Sequence, residues 1–134
     1  MADARGHYNT RQQTAILSLM HARAGESLTI DEIHDTLEAQ GASVGRATIY
    51  RLLGRLTVEQ RVLQIADPNV GLSRYCFADG DGLCLACLEC HRVFPIDCKG
   101  LETFEQHVST DHNFKLEPRH TVLYGYCGNC AANR

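Results

Sequence analysis

Two short cysteine pairs constrain the fold of this chain more than any other feature. The stretches "CLEC" and "CGNC" each place two thiols three positions apart, at Cys87 and Cys90 and at Cys127 and Cys130. A Cys-x-x-Cys turn presents two sulfur atoms to one metal ion with little strain, and two such turns complete a tetrahedral set of ligands. Because four thiolates leave no open coordination position, the pattern predicts one structural zinc ion per chain.

The segment between the two pairs is expected to be folded. It spans residues 91–126, which is longer than the loop of about 15–20 residues in a simple zinc ribbon. The stretch "KGLETFEQHVSTDH" predicts a helix with Leu101, Phe104 and Val108 facing inward. Strands are predicted in "LCLACLEC", "RVFPID" and "FKLEPRHTVLYGYC", the last interrupted at Pro118. These elements predict a zinc-stabilised α+β domain at residues 81–134, which is too small to be stable without a metal or a second subunit.

Cysteine usage also bears on the compartment. The chain has seven cysteines, an odd number that a complete set of disulfides cannot use. No apolar run approaches the roughly 20 residues needed to span a bilayer, and the start "MADARGHYNT" lacks the apolar centre of a signal peptide. We therefore expect a cytoplasmic protein with reduced thiols and no membrane partner. A redox-active pair would open a helix in a βαβ unit, and neither pair is predicted to do so.

The first half of the chain predicts a helix-turn-helix. After a first helix in "TRQQTAILSLMHA", the stretch "LTIDEIHDTLEAQG" has Thr29 and Glu32 at capping-box spacing. The next helix, "ASVGRATIYRLLGRLTVEQ", has Ser43 as its expected cap. On a helical wheel, one face of this helix is apolar and the opposite face carries Arg51 and Arg55. The apolar face consists of Ile49, Leu52, Leu53 and Leu56.

A hairpin is predicted directly after these helices. The strand-like runs "RVLQIAD" and "LSRYCFA" are separated by "PNVG", which supplies proline, asparagine and glycine for a turn. A helix-turn-helix followed by a hairpin is typical of a winged-helix DNA-binding domain, which we assign to residues 1–80. The turn-rich stretch "DGDG" then marks the boundary with the second domain.

The distribution of charge favours a nucleic-acid partner. The net charge of the chain is −3, yet residues 44–61 carry four arginines against Glu59 alone. A basic stripe in an acidic protein favours binding to double-stranded DNA. Two alternatives remain: a surface helix with solvated arginines, and a zinc-stabilised interaction module whose winged helix binds another protein.

The order of winged helix, hinge, cysteine pair, helix, strand and cysteine pair resembles the ferric-uptake-regulator (Fur) family of metal-responsive DNA-binding repressors. Three stretches carry the resemblance. "ATIYRLL" is similar to the recognition-helix signature of the family, "CLEC" with "HRVFPID" to its first cysteine knuckle, and "LYGYCGNC" to its closing motif. The resemblance extends from about Thr10 to Cys130.

The resemblance implies a homodimer formed through the second half, with two winged helices on a roughly palindromic operator. It implies that Tyr50 and Arg51 contact the major groove, where arginine reads guanine edges and tyrosine contacts a thymine methyl group or a phosphate. Arg46 and Arg55 are expected to contact phosphates. The complete set of DNA-binding candidates is Arg46, Thr48, Tyr50, Arg51 and Arg55.

A second, regulatory metal site is expected where the two halves meet. Cys76 and Cys84 flank the joint, and Glu102, His107, His112 and His120 supply further oxygen and nitrogen donors. By the resemblance, Cys76 stands where iron sensors typically have glutamate and zinc sensors have cysteine. Cys84 replaces a sensing histidine, and His120 is one position away from the late histidine of the family. Thiolate ligands favour zinc, so the predicted regulatory metal is zinc.

The leading prediction is therefore a zinc-responsive transcriptional repressor of metal-uptake genes, close to the zinc-uptake-repressor branch and without a small-molecule substrate. Alternatives within the family are an iron sensor and a sensor of peroxide or thiol oxidation at Cys76, Cys84 or Cys98. An enzyme is not expected. A zinc hydrolase or deaminase needs an open coordination position and a placed carboxylate, and the sequence contains neither His-Glu-x-x-His nor His-x-Glu.

Overall fold

The computed structural model describes residues 4–66, 71–77, 82–96, 98–118 and 121–134, with side chains from Thr10 onward. The chain divides into two compact units, Met1–Ala78 and Asp79–Arg134, which we call unit 1 and unit 2. The assignment of DNA binding to residues 1–80 and of dimerisation to residues 81–134 stays a prediction. No helix in the described part of the chain is long and apolar enough to cross a membrane.

Unit 1 consists of three helices followed by a hairpin. Its elements are α1 (Ala4–Ala22), α2 (Ile30–Ala39), α3 (Arg46–Val58), β1 (Val62–Ala66) and β2 (Ser73–Phe77). The two strands pair antiparallel, with Val62 opposite Phe77 and Ala66 opposite Ser73. This order confirms the predicted helix-turn-helix and hairpin. The turn between the strands, at residues 67–70, lies outside the described residues.

One hydrophobic cluster holds unit 1 together. Apolar side chains of α1, α2 and α3 pack with Val62 of β1 and Tyr75 of β2. The predicted apolar face of α3 is buried, and Ile49, Leu53 and Leu56 are each 0% exposed. Because a fully buried leucine or isoleucine side chain contributes about 1.5–3 kcal/mol, this face fixes α3 and directs its arginine face to solvent.

A polar network ties the start of α2 to the hairpin. The Glu32 N–H donates to Thr29 Oγ1 at 3.1 Å and the Thr29 N–H donates to Glu32 Oε1 at 3.4 Å, which confirms the predicted capping box. Arg74 on β2 donates to the same Glu32 Oε1 at 2.8 Å and to the Ser27 carbonyl at 2.9 Å. The Arg74 side chain is only 13% exposed, so this ion pair is better shielded from water than an ordinary surface pair.

The start of α3 differs from the prediction. The expected cap at Ser43 is wrong, because α3 begins at Arg46 and Gly45 is its N-cap, without a side-chain hydrogen bond. The reason is the burial of Val44, which is 3% exposed in the core of unit 1. With Val44 anchored there, the chain reaches helical geometry only after Gly45.

Unit 2 is built on a three-stranded sheet. Its elements are β3 (Leu83–Cys87), β4 (Val93–Ile96), α4 (Lys99–His112), β5 (Val122–Gly125) and a one-turn helix, α5 (Gly128–Ala131). The strand order is β4-β3-β5, with β3 antiparallel to β4 and parallel to β5. Of the strand run predicted from Phe114 with an interruption at Pro118, the part before the proline is wrong, since residues 114–117 form no strand and β5 starts only at Val122.

Helix α4 has the predicted boundaries but not the predicted burial. No residue of α4 is buried, and Phe104 is 50% exposed. The expectation that Phe104 faces inward is therefore wrong, whereas Leu101 and Val108 are half-buried. The physical reason is the size of the unit: a single small sheet of four- and five-residue strands offers too little apolar surface to cover a helix of this length.

Candidate metal centre and nucleic-acid interface

The four paired cysteines converge because two parallel strands end side by side. β3 ends at Cys87, and in the β3–β5 register Cys87 lies opposite Gly125, the last residue of β5. Both chain segments continue in the same direction beyond the sheet, so the two Cys-x-x-Cys turns emerge at the same edge. The Leu88 N–H donates to the Gly125 carbonyl at 2.8 Å and extends the pairing into the first turn.

The geometry of the four-cysteine cluster fits a tetrahedral zinc site. All four Sγ atoms, from Cys87, Cys90, Cys127 and Cys130, lie within 4.8 Å of one another. The Sγ atoms of Cys90 and Cys127 are 3.8 Å apart. Four sulfurs at the usual Zn–S distance of about 2.3 Å would be separated by about 3.8 Å. Both the donor set and this spacing therefore suit zinc.

The ionisation of the four thiols also requires a cation beside them. Burial raises the pKa of the Cys87 thiol, but hydrogen bonds from the backbone of Cys127, Cys90 and Glu89 outweigh it and lower that pKa to about 6. The pKa of Cys130 is instead raised well above its usual value, first by its hydrogen bond with Cys127 and then by burial. Four adjacent thiols cannot all ionise without a compensating positive charge, which a divalent metal ion would supply.

The second cysteine pair opens a short helix. Cys127 is the N-cap of α5, and the Ala131 N–H donates to its carbonyl at 2.7 Å. Residues 132–134, which follow α5, form no strand, so this helix is not part of a βαβ unit. The convergence of all four sulfurs still distinguishes the arrangement from a dithiol redox pair, in which only two thiols face each other.

The residues of the predicted regulatory site are distributed over both units. Cys76 is buried in β2 of unit 1, and Cys84 is half-buried in β3 of unit 2, where burial raises the pKa of its thiol. Glu102 and His107 are exposed on α4, and within the described part of unit 2 no cluster of three candidate ligands contains either of them. His120 lies outside the described residues. This ligand set stays a prediction.

A second group of candidate ligands lies on α2 and was not predicted. His34 Nδ1 is 3.0 Å from Asp35 Oδ1 and 4.0 Å from Glu38 Oε2. The guanidinium of Arg46 lies 3.9 Å from the same Asp35 carboxylate. A cation is already present next to this group, so it is a poor site for a metal ion.

The candidate nucleic-acid interface is a groove of about 530 Å³ in unit 1. Tyr50, Arg51 and Arg55 of α3 line it, and Tyr50 is 64% exposed. The remaining lining residues come from α3 itself, the start of α2 and the hairpin: Thr29, Ile30, Asp31, Gly54, Gln64, Leu72, Ser73 and Tyr75. Three of the five predicted DNA-binding residues therefore share one surface with the hairpin, where Gln64 donates to Ser73 Oγ at 3.0 Å.

The arginines of α3 differ in how strongly they are held. The Arg46 guanidinium donates to Asp31 Oδ1 at 2.6 Å, and this hydrogen bond is the main cause of its raised pKa. Arg55 lies 3.7 Å from Glu59 and also donates to Gln13 Oε1. Arg51 donates only a long bond of 3.4 Å to Thr48 Oγ1, and among the described side chains it pairs with no carboxylate. Arg51 is therefore the arginine of α3 best able to contact DNA without losing an ion pair.

Sequence reasoning missed the partners of these arginines. Asp31 is 15 positions from Arg46, and Gln13 is 42 positions from Arg55. No local spacing rule connects residues so far apart, because their contact depends on how α1, α2 and α3 pack. The exposed carboxylate of Asp31 was visible in the sequence only as an acidic residue in the first turn of α2.

Comparison with known proteins gives a consistent result. The Ferric uptake regulator family matches residues 4–124. The ferric uptake regulation protein of Bordetella parapertussis is 30% identical over 120 residues, covering 89% of this chain and 86% of the relative. The zinc uptake regulation protein of Mycobacterium tuberculosis is 27% identical over 129 residues, covering 95% and 97%. The crystal structure of FurB, a zinc uptake regulator from M. tuberculosis, superposes with a TM-score of 0.59 at 26% identity and covers 96% of this chain and 99% of that one.

Proposed function

The chain belongs to the ferric uptake regulator family, and we propose that it is a zinc-responsive transcriptional repressor that binds operator DNA as a homodimer. The observation that carries the proposal is the convergence of four cysteine sulfurs within 4.8 Å at the joined ends of β3 and β5. Sulfur ligands select zinc over magnesium, calcium or manganese. The M. tuberculosis relative, which aligns over nearly its whole length, is named a zinc uptake regulation protein.

The four-cysteine centre has a structural role in this proposal. Cys87, Cys90, Cys127 and Cys130 hold the ion, which supplies a tetrahedral cross-link between the ends of two strands. Because all four positions are filled by protein ligands, the centre has no place for a substrate. The thiolates must stay reduced to bind, which suits a protein of the cytoplasm.

The winged helix contacts the operator through α3. Arg51 and Tyr50 enter the major groove, because both are exposed in the groove of unit 1 and Arg51 holds no competing carboxylate. Arg55, Arg46 and Thr48 contact phosphates or position the helix. Arg46 has to exchange its Asp31 partner for a phosphate, so it contributes less net affinity than an unpaired arginine would.

The homodimer forms through an exposed apolar surface of unit 2. Leu85 lies opposite Phe94 on one neighbouring strand and opposite Leu123 on the other, so the three side chains share one face of the sheet. They are 36%, 38% and 46% exposed. An apolar groove of about 220 Å³ continues from them toward Tyr126 and Cys127. Contiguous apolar surface of this kind marks a protein–protein interface, and the exposed Phe104 on α4 adds to the apolar surface of the unit.

A second zinc ion regulates DNA binding. Its ligands come from Cys76, Cys84, Glu102, His107 and His120, and the two thiolates favour zinc over iron. Binding of this ion is coupled to operator binding. Coupling of about 1–3 kcal/mol, or roughly 5–150-fold in operator affinity, is typical of such regulation.

The proposal is tested with a DNA duplex selected from a random library by the zinc-loaded protein. We expect added zinc to raise the affinity of the wild-type chain for this duplex about 5–150-fold, measured by fluorescence anisotropy. We expect the Cys76→Ala, Cys84→Ala double variant to keep one zinc per chain but to bind the duplex with no response to added zinc. An equal response to zinc in both proteins would show that Cys76 and Cys84 do not bind a regulatory metal ion. Failure of the library to yield any preferred duplex, with no salt-dependent DNA binding, would instead support the protein-interaction module.

A further inference from the structure

We propose that His107 and His112 form a separate metal-binding site at the carboxyl-terminal end of α4, outside the four-cysteine centre. The two Nε2 atoms are 3.3 Å apart, and the ring centroids are 5.0 Å apart at an interplanar angle of 74°. This site takes His107 out of the proposed regulatory set and pairs it with a histidine of its own helix. It stands whether or not Cys76 and Cys84 share an ion.

The distances between the two rings fit a shared ion. Two imidazoles bound to one tetrahedral ion at about 2.05 Å would have nitrogens about 3.3 Å apart and ring centroids about 5.2 Å apart. A hydrogen bond between two collinear rings with the same nitrogen separation would place the centroids about 5.6 Å apart. The observed 5.0 Å is compatible with the first arrangement, in which both nitrogens point toward one position beside the rings.

Asp111 lies beside the ring nitrogen of His107 that does not face His112. His107 Nδ1 is 2.9 Å from Asp111 Oδ2, within ion-pair distance, and a carboxylate at this place favours the tautomer with its hydrogen on Nδ1. In that tautomer the lone pair is on Nε2, the atom that faces His112. A carboxylate beside the far nitrogen is a common support of a histidine ligand, because it orients the ring.

The end of α4 brings the second ring into place. His112 is the last residue of the helix, and Asn113 follows in the left-handed conformation with φ of 50°. The Phe114 N–H returns to the Val108 carbonyl at 3.3 Å, which closes the final turn. Five positions separate the two histidines, a spacing that does not place residues on one face within a regular helix. The sequence therefore indicates both histidines as possible donors of a metal site but does not predict that they contact each other.

The two donor atoms determine which metal ions this site can bind. Two imidazole nitrogens suit zinc, nickel or copper and do not suit magnesium or calcium. Both side chains are exposed, so water completes the coordination sphere and the ion exchanges freely with solvent. The site therefore binds a divalent late transition-metal ion reversibly, unlike the closed four-cysteine centre.

Nickel binding tests this site directly. The protein used is the untagged, zinc-loaded full chain carrying Cys76→Ala and Cys84→Ala, so that the proposed regulatory set cannot contribute its thiols. Isothermal titration with Ni²⁺ is expected to give one ion per chain, lost in both His107→Ala and His112→Ala. The matched control Gln106→Ala, an exposed neighbour on α4, is expected to keep it. Asp111→Asn is expected to weaken binding about 10–100-fold.

The outcomes separate this site from the regulatory one. If His107→Ala loses nickel binding and His112→Ala keeps it fully, the two histidines do not share an ion. His107 is then again a candidate ligand of the regulatory site. The absence of a nickel ion in the parent protein would mean that the two rings form only a hydrogen bond. Circular dichroism of each variant verifies that unit 2 is still folded. We expect it to be folded, because all variants keep the four-cysteine centre.

Discussion

Replacing Cys90 with serine is expected to unfold unit 2 and to abolish the dimer. The main hydrophobic cluster of the described residues lies entirely within unit 1. Among the described residues of unit 2, only four apolar residues are buried, namely Leu83, Ala86, Cys87 and Val93. Structural zinc sites contribute about 10–16 kcal/mol of apparent binding free energy, far more than four such side chains provide. Zinc content, circular dichroism and the molar mass in solution measure the three consequences.

Cys98→Ser is the matched control for this experiment. Cys98 is exposed at the start of α4 and is not part of the four-cysteine cluster. We expect this variant to keep one tightly bound zinc, the wild-type circular dichroism spectrum and the dimer. A Cys90→Ser protein that remains dimeric and folded in unit 2 without zinc would show that the apolar surface of the sheet is sufficient for stability.

Arg51→Ala is expected to lower the affinity of the dimer for its selected duplex by at least about 30-fold. A well-placed arginine contact to a base contributes about 1–3 kcal/mol. The dimer uses two copies, so the smallest expected loss is about 2 kcal/mol, which corresponds to this factor. The affinity for unrelated DNA should fall much less, because base contacts supply specificity and phosphate contacts supply general affinity. Anisotropy titrations with selected and unrelated duplexes give both values.

Lys115→Ala removes the same charge from an exposed position of unit 2 and serves as the control. We expect it to bind the selected duplex as the wild type does. Wild-type affinity in Arg51→Ala, together with full zinc loading, would mean that α3 does not read the operator. The groove lined by Tyr50 and Arg51 would then have another role.

The features that the sequence predicts are those set by local spacing. The three-residue interval within each cysteine pair is enough to identify the metal turns, because each turn is a self-contained chelate. The Thr29–Glu32 capping box and the apolar face of α3 were likewise predicted from residues within a few positions of one another, and both are confirmed. The order of helices and hairpin followed from the same local patterns.

The features that the sequence misses depend on packing or on a partner. Arg46 and Asp31 meet only because α2 and α3 cross, and His107 and His112 meet at an irregular spacing where a helix ends. Phe104 has the spacing of a core residue but is half-exposed. In a single chain the sheet does not cover it, and the helical periodicity of a sequence does not distinguish a core face from an interface face.

Zinc content measured together with thiol reactivity is the most direct test of the central claim that four sulfurs bind one structural zinc ion. At least one zinc per chain is expected to survive dialysis of the purified, reduced protein. A thiol reagent is expected to modify Cys87, Cys90, Cys127 and Cys130 only after a strong chelator has removed the metal. A folded chain without zinc, whose four paired thiols react as freely as the exposed Cys98, would contradict this claim.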